Sequence, residues 1–169
     1  QQNTSVAMAY NHEAIYFAVK CYDKMDSVSQ VFTSRDDLSP NADVFSIYLD
    51  TYNDNQNGFY FGVTSQGVQL DAKINPMDFN DQLNLVWNSQ VYLSDSAWTI
   101  EIRIPFSAIR FPNKDLQTWN FNMVRQVRRD REQSTWNPMD PAIYGEITQS
   151  GTIKGVKEIK SPLRLSLTP

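Results

Sequence analysis

The stretch Trp98-Thr99-Ile100-Glu101-Ile102-Arg103-Ile104 decides the fold class, because apolar and polar residues alternate through it without an error. A repeat of two residues is the signature of a β-strand that buries one face and exposes the other. Residues 85–93 show a similar alternation, and Ser94-Asp95-Ser96 supplies turn-forming residues between the two runs. The two runs therefore predict an antiparallel hairpin in an amphipathic sheet.

Much of the remaining chain repeats this pattern in short segments, with turns such as Ser65-Gln66-Gly67 between them. Many short strands separated by turns predict an all-β fold, an antiparallel β-sandwich of the jelly-roll or immunoglobulin-like kind. One or two short helical turns are expected, at residues 105–109, which begin with a proline, and at residues 78–83. The other predicted strands are residues 5–10, 15–22, 44–50, 59–64, 68–74 and 118–127, with a short one at 161–167.

Length and composition describe one globular domain over residues 1–169, with 41% apolar and 20% charged residues. Lysine and arginine number 15 against 19 aspartate and glutamate, which gives a net charge of -4. This sign disfavours nucleic acid and anionic membranes as partners. No apolar run approaches the roughly 18 residues of a membrane-spanning helix, so we expect no direct membrane insertion of this domain. We also expect the domain to be a piece of a longer exported chain.

Catalytic residues are scarce, since the sequence holds one cysteine, Cys21, and one histidine, His12. These counts argue against most zinc sites, Cys-His nucleophiles and Ser-His-Asp triads. Five aspartates between residues 36 and 54 could in principle include the acid and base of a glycosidase. Neighbours on a strand alternate faces, however, so this acidic stretch is better explained as a solvated rim of turns and strand ends. We therefore predict a protein that is not an enzyme.

The loop Asp50-Thr51-Tyr52-Asn53-Asp54-Asn55-Gln56-Asn57-Gly58 concentrates the oxygen ligands that Ca²⁺ requires. It lacks the acidic residue that closes an EF-hand loop with two oxygens. The alternative is an Asx-rich hairpin turn, in which the side chains bond their own backbone. The candidate ligands of a structural Ca²⁺ are Asp50, Asn53, Asp54 and Asn55.

The tryptophans fall into two groups. Trp87, Trp98 and Trp119 alternate with apolar residues and are predicted to lie in the core. Trp136 lies in a loop interrupted by Pro138, which cannot be a central strand. An exposed aromatic ring can stack on a sugar while nearby amides and charges bond its hydroxyls. The candidate glycan-binding residues are Trp136, Asn137, Tyr144 and Arg125, and the alternative is that Trp136 anchors its loop.

Arg125 is unusual, because strand alternation places it on the apolar face of residues 118–127. A buried guanidinium without a partner would be costly. We therefore predict that Arg125 meets a carboxylate or lines a polar groove. The neighbouring Arg128, Arg129 and Arg131 are interspersed with acidic residues and predict surface ion pairs.

Several segments stand in an order that resembles the family 9 carbohydrate-binding-module-like domain, in the version found at the N-terminal end of bacterial outer-membrane β-barrel proteins. The resemblance covers nearly the whole chain, and it implies a β-sandwich, export, a sugar-binding ancestry and structural Ca²⁺. The segments that carry it are Tyr10-Asn11-His12-Glu13-Ala14-Ile15-Tyr16-Phe17, Arg35-Asp36-Asp37, residues 43–51, Val86-Trp87, residues 98–106, Arg110-Phe111, residues 128–136 and Leu163-Arg164-Leu165.

The resemblance also implies where a sugar site would lie. In sugar-binding members two tryptophans clamp a sugar ring, and a glutamate and an arginine bond its hydroxyls. Without gaps, the first tryptophan falls near residues 38–40, the glutamate at Ser46 and the arginine near Gly62. The second tryptophan falls in the loop that follows Trp136. At most one of the family's binding elements therefore stands in recognisable form.

Two functions are predicted, both for a protein of the periplasm or cell surface associated with the outer membrane. The first is a noncatalytic module that binds a glycan or polysaccharide. The alternative is a structural or protein-interaction domain that accompanies an outer-membrane β-barrel of the same chain and has lost the ancestral sugar site. Haem binding through methionine and His12 is a third hypothesis of much lower weight.

Overall fold

The computed structural model describes residues 2–162 except 83 and 144, so residues 163–167 of the strand predicted at 161–167 lie outside the described residues. Two antiparallel sheets make up the described chain, and its helical elements are 3₁₀ turns of three or four residues, far too short to cross a bilayer. The strands are β1 (Thr4–Tyr10), β2 (Ala14–Tyr22), β3 (Val44–Asp50), β4 (Gly58–Thr64), β5 (Gln69–Asn75), β6 (Asp78–Asn80), β7 (Asn88–Ser94), β8 (Ala97–Pro105), β9 (Leu116–Val127), β10 (Glu132–Thr135) and β11 (Gly151–Lys157). The 3₁₀ turns are Met25–Ser27, Phe106–Ala108 and Glu146–Gln149.

The smaller sheet has the strand order β1-β2-β8-β7. The larger sheet has the order β10-β9-β3-β4-β5-β6, and β11 also pairs with β9. The predicted hairpin is present as β7 and β8, with Leu93 opposite Trp98. The prediction of an all-β antiparallel sandwich is confirmed.

The helical turn predicted at residues 78–83 is wrong, because residues 78–80 form the short strand β6 along β5. The reason is a tight turn in which the side-chain oxygen of Asn75 accepts the backbone N–H of Met77 at 2.9 Å. This turn sends the chain back along β5, and the ring of Phe79 then packs edge-on against Tyr48 and Tyr60. The helical turn predicted at 105–109 is confirmed by the 3₁₀ turn Phe106–Ala108.

The main core lies between the two sheets and is built by the alternating apolar residues of the strands. Trp98 and Trp119 are fully buried there and Trp87 is 4% exposed, which confirms their predicted core positions. Cys21 lies in the same core, where burial raises the pKa of its thiol to about 12. A thiol with so high a pKa stays protonated and unreactive at neutral pH.

A second apolar layer covers the outer face of the larger sheet. Tyr48 of β3 and Tyr60 of β4 are each 5% exposed on this face, and Ile147 from the turn Glu146–Gln149 packs on them. The larger sheet is therefore buried on both faces. Its second layer also includes Val44, Leu70, Ala72, Ile74 and Val124, with Leu38, Val68, Phe79 and Met139 partly buried beside them.

The prediction of a solvated acidic rim is wrong for two of its aspartates. Asp43 and Asp50 are fully buried at the two ends of β3. Backbone N–H groups replace water there. Asp43 Oδ1 accepts the backbone N–H of Arg128 at 2.8 Å, whereas its Oδ2 has no hydrogen-bond partner among the described residues. Burial raises the pKa of Asp43 above its ordinary value of 3.8, although that bond and nearby arginines oppose the shift.

Arg125 of β9 meets a carboxylate as predicted. Its side chain is 2% exposed, and its Nη2 donates to Asp23 Oδ2 at 3.0 Å. Its Nη1 donates to the backbone carbonyls of Asn3 at 3.0 Å and Tyr22 at 3.1 Å. Because Asn3 precedes β1 and Tyr22 ends β2, one guanidinium of the larger sheet holds the edge of the smaller sheet.

We expect Asp23→Asn to lower the free energy of unfolding by about 3–5 kcal/mol. The asparagine side chain has nearly the same shape as that of aspartate, but it leaves the buried charge of Arg125 uncompensated. Glu13→Gln is the matched control, since it breaks the exposed Arg103–Glu13 pair at 3.5 Å and should cost less than about 1 kcal/mol. Urea denaturation of both variants measures the difference. Equal losses would show that the buried pair does not hold the sheets together.

The raised pKa of Asp43 predicts a pH dependence of stability. The folded protein keeps the Asp43 proton to a higher pH than the unfolded chain, so this residue costs stability as the pH rises above 3.8 and through the folded pKa. Asp43→Asn does not titrate, and its stability relative to the wild type should therefore increase over that range and then level off. Urea denaturation of both proteins between about pH 4 and pH 8 checks this, and a difference that stays constant or shrinks would contradict it.

Candidate functional site

Trp136 directly follows β10 and is the tryptophan that stands at the surface, with 53% of its area exposed. Its backbone N–H donates to the carbonyl of Met123 on β9 at 2.9 Å. One side of its ring packs against Phe121, with the ring centroids 5.7 Å apart. The ring also lies over Gly151, where a Cβ would come within 2.6 Å of it. The indole is thus held firmly on one side and open on the other.

The open side of Trp136 forms one wall of a cleft of about 380 Å³ between the start of β1 and β10. Its apolar wall is made by Val6, Phe45 and Met123, together with the indole. Amides and hydroxyls complete its surface, a combination suited to ligands with both C–H faces and hydroxyl groups. The polar residues that line it are Gln2, Asn3, Thr4, Arg125, Ser134 and Thr135.

The structure brings two of the four predicted glycan-binding residues, Trp136 and Arg125, to this cleft. The guanidinium of Arg125 already donates to three backbone or hydroxyl oxygens and to Asp23, and its Nε is buried without a partner among the described residues. Arg125 therefore shapes the cleft by fixing Asn3 and Thr4. It does not present a free fork of N–H groups to a ligand.

The other two predicted residues are placed differently. The side-chain amide of Asn137 donates to the carbonyl of Gln149 at 2.7 Å, and its backbone exchanges hydrogen bonds with the side chain of Asn122. Asn137 thus fixes the loop behind Trp136. Tyr144 lies outside the described residues.

The positions where the resemblance places the family's sugar-binding glutamate and arginine are covered. Ser46 is 1% exposed on the outer face of the larger sheet, and its hydroxyl lies 3.0 Å from the hydroxyl of Tyr60. The ring of Tyr60 also covers Gly62, where a Cβ would come within 2.7 Å of the phenol oxygen. Burial raises the pKa of Tyr60 to about 12, so its hydroxyl stays protonated. A hydroxyl pair and an aromatic layer occupy this surface.

Sequence reasoning missed a larger pocket of about 680 Å³ between the β5–β6 turn and residues 139–143 and 145–149. The side chain of Gln149 holds the pocket wall. Its amide oxygen accepts the backbone N–H of Asp140 at 2.7 Å, and its amide nitrogen donates to the carbonyls of Asp140 and Ile143. Gly145 has a φ of +86°, and a Cβ at this position would lie 3.0 Å from the Cα of Pro76. The pocket was not predicted because β6, which forms its other wall, was taken for a helical turn.

A buried polar cluster around Asp71 of β5 was also missed. Arg35 Nη2 lies 2.6 Å from Asp71 Oδ1, and the indole N–H of Trp87 donates to the same oxygen at 2.9 Å. Asp71 Oδ2 accepts the backbone N–H of Leu85 at 2.8 Å, and Asp36 Oδ1 accepts that of Asp71 at the same distance. The segment Arg35-Asp36-Asp37 therefore ties its loop to the sheet. No signal along the sequence links residues 35, 71 and 87.

The predicted calcium loop follows β3 and forms a compact Asx turn. Asp50 Oδ1 accepts backbone N–H groups from Tyr52 and Asn53, and Oδ2 accepts that of Asn55 at 2.8 Å. The side-chain amide of Asn120 donates to Oδ2 at 3.0 Å. Asp54 Oδ1 likewise accepts two backbone N–H groups of its own loop.

This arrangement does not fit a preformed Ca²⁺ site, because N–H donors point at the carboxylate oxygens that would have to bind the cation. Asn53 and Asn55 adopt left-handed φ angles of 56°, as Asx turns allow. Within residues 2–162, apart from 83 and 144, no group of three or more His, Cys, Asp or Glu side chains could hold a metal ion. The expectation from the sequence that Asp50, Asn53, Asp54 and Asn55 bind calcium is untested, and the N–H groups bound to the Asp50 oxygens argue against it.

Comparison with known proteins gives similarity of structure only. No family model matches the sequence, and no curated protein sequence matches it. A provisionally assigned carbohydrate-binding protein of Bacteroides uniformis is similar in structure, with a TM-score of 0.74, 15% identity, and 91% of this chain and 78% of that chain covered. A family 9 carbohydrate-binding module of Caldicellulosiruptor kristjanssonii in complex with cellotriose has a TM-score of 0.59 and 16% identity, covering 100% of this chain and 80% of that chain. The chain therefore has the fold of carbohydrate-binding modules.

The carboxylate oxygens of Asp50 already accept backbone N–H groups of the Asx turn. We therefore predict that calcium does not stabilise the protein. The melting temperature in about 5 mM CaCl₂ should equal that in EDTA within about 1 °C, because a ligand that does not bind the folded state adds no stability. Thermal denaturation followed by circular dichroism measures this. A rise of several degrees in calcium that disappears in Asp54→Asn would show that the loop rearranges to bind the ion.

Proposed function

We propose that this protein is a noncatalytic glycan-binding module of an exported protein, located in the periplasm or at the cell surface. The observation that carries the proposal is the half-exposed ring of Trp136, fixed by Phe121 and Gly151 at the wall of a polar cleft. A fixed aromatic ring binds a sugar face at little entropic cost, because the protein side is already ordered. The fold shared with carbohydrate-binding modules supports the same function.

The cleft indicates what kind of ligand it would take. Its volume of about 380 Å³ lies at the low end of the range of roughly 300–1,000 Å³ for ligand pockets, which suits a short glycan segment. The indole would stack on the C–H face of a sugar ring, and Asn3, Ser134 and Thr135 would bond its hydroxyls. The described lining holds no carboxylate, whereas glycoside hydrolysis ordinarily needs two. Binding without catalysis is therefore the function that this cleft supports.

We expect Trp136→Ala to weaken binding of a glycan identified by an array screen at least about 30-fold, because truncating a central aromatic costs about 2 kcal/mol or more. Trp136→Phe should keep part of the affinity, since it retains an aromatic face. Phe32→Ala is the matched control, because Phe32 is 76% exposed and lies away from the cleft. Isothermal titration calorimetry measures all four proteins.

Two results would contradict this assignment in different ways. An unchanged glycan affinity in Trp136→Ala would show that the glycan binds away from Trp136, but it would not contradict glycan binding as the function. A clean blank for the folded wild type across the array would contradict the function itself.

A second function is favoured by the covered surface around Ser46, Tyr60 and Gly62, where the resemblance places sugar-binding residues. We infer from it an alternative in which the domain is a structural or interaction companion of an outer-membrane β-barrel of the same chain. This alternative requires the domain to bind that barrel portion. Failure of the two parts to co-purify would count against it.

A further inference from the structure

The cleft beside Trp136 has a second apolar wall in addition to the indole. Val6 of β1, Phe45 of β3 and Met123 of β9 form this wall. Phe45 belongs to the main core between the sheets, and Val6 and Met123 pack against that core. The exposed fraction falls from 53% at Trp136 to 2% at Phe45. The cleft therefore runs inwards from an aromatic rim to the edge of the core.

A sugar that carries only hydroxyl groups would use the rim and not this inner wall. Its C–H face stacks on the indole of Trp136, but the other groups of the ring are polar. A hydroxyl pressed against Val6 and Met123 would lose its hydrogen bonds to water and gain no others. A ligand that fills the whole cleft therefore needs an apolar substituent on its sugar ring.

The lining offers no partner to a charged substituent. Among the described residues its one charged side chain is Arg125. The Nη groups of Arg125 already donate to Asp23 and to oxygens of Asn3, Thr4 and Tyr22. A sugar carboxylate or sulfate would find no free cation, and a sugar ammonium would find no carboxylate. The apolar substituent is therefore expected to be neutral.

Two amide side chains, those of Gln2 and Asn3, lie at the mouth of the cleft. Neither amide has a hydrogen-bond partner within the described part of the chain. Arg125 Nη1 donates to the backbone carbonyl of Asn3 at 3.0 Å, so the backbone that carries this side chain is fixed. A primary amide has two N–H donors and one carbonyl acceptor. Gln2 and Asn3 can therefore bond both the N–H and the C=O of a ligand amide.

We propose that the cleft recognises an N-acetylated sugar, in which a neutral acetamido group supplies both the methyl and the amide. This inference rests on the proposed function, because it names the class of glycan that the same site binds. The indole of Trp136 stacks on the sugar ring, and the acetyl methyl lies against Val6 and Met123. The acetamido N–H and C=O bond the side chains of Gln2 and Asn3. A deoxy sugar would supply a methyl group but no amide.

Isothermal titration calorimetry with three matched trisaccharides tests the proposal. Cellotriose, the β-1,4-linked trimer of N-acetylglucosamine and its deacetylated form share one backbone. They differ at carbon 2, which carries a hydroxyl, an acetamido group or, at mildly acidic pH, an ammonium group. The N-acetylated trimer should bind the wild type at least about tenfold more tightly than the other two, because one more apolar carbon in a hydrophobic pocket discriminates about 10–200-fold.

Val6→Thr replaces one methyl of the inner wall by a hydroxyl at nearly constant volume. It should weaken binding of the N-acetylated trimer about threefold or more and leave the affinity for cellotriose nearly unchanged. Val91→Thr is the matched control, because Val91 lies on β7, the other edge strand of the same sheet, and is partly buried against the same core. It should change neither affinity, and thermal denaturation verifies that both variants are folded.

NMR places the acetyl group directly. Nuclear Overhauser effects should connect the acetyl methyl of the bound trimer with the methyl groups of Val6 and Met123. Cellotriose binding as tightly as the N-acetylated trimer, equal losses in the two threonine variants, or no such contacts would each overturn the proposal and leave glycan binding standing. An array hit on another glycan, with no binding of the N-acetylated trimer, would do the same. A folded wild type that binds no glycan at all would contradict the proposed function as well.

Discussion

The structure depends on one buried ion pair that joins the two sheets, between Arg125 of β9 and Asp23 just after β2. Apolar packing between two sheets has little directional preference, whereas a guanidinium with four oxygen partners fixes orientation as well as distance. Two of those partners belong to Asn3 and Thr4, which line the cleft opposite Trp136. The residue that joins the sheets therefore also positions one wall of the candidate binding site.

The second constraint is the apolar layer on the outer face of the larger sheet. Residues 137–143 and 145–150 fold over this face and bring Ile147 onto Tyr48 and Tyr60. The flat surface that the family resemblance would offer to a sugar is thereby occupied by side chains. The same loop begins with Trp136, and its anchoring by Asn137 and Gln149 leaves the indole exposed at the edge of the sandwich. The covered face and the open cleft are two consequences of one loop.

Alternation along the chain was enough to predict the sandwich, the β7–β8 hairpin, the core tryptophans and the pairing of Arg125, because each of these depends on which face of a strand a residue occupies. It could not identify Asp23 as the partner, since the two residues lie 102 positions apart. The Asp71 cluster could not be predicted for the same reason, because residues 35, 71 and 87 are far apart along the chain. The pocket beside β6 was missed because residues 78–80 were predicted to be a helical turn. At the site, a proline after Trp136 correctly indicated an exposed ring. The hydrogen bonds that turn Asn137 inward come from residues distant in sequence.

Acrylamide quenching of tryptophan fluorescence tests the glycan-binding account most directly. Trp87, Trp98 and Trp119 are at most 4% exposed, so the quenching reports almost entirely on Trp136. The account predicts that a bound glycan, with cellotriose as the first probe and the glycan array as its extension, shields the indole and lowers the quenching constant. Glycan binding by calorimetry with unchanged quenching, or no protection by any glycan at about 10 mM, would contradict the claim that Trp136 is the binding platform.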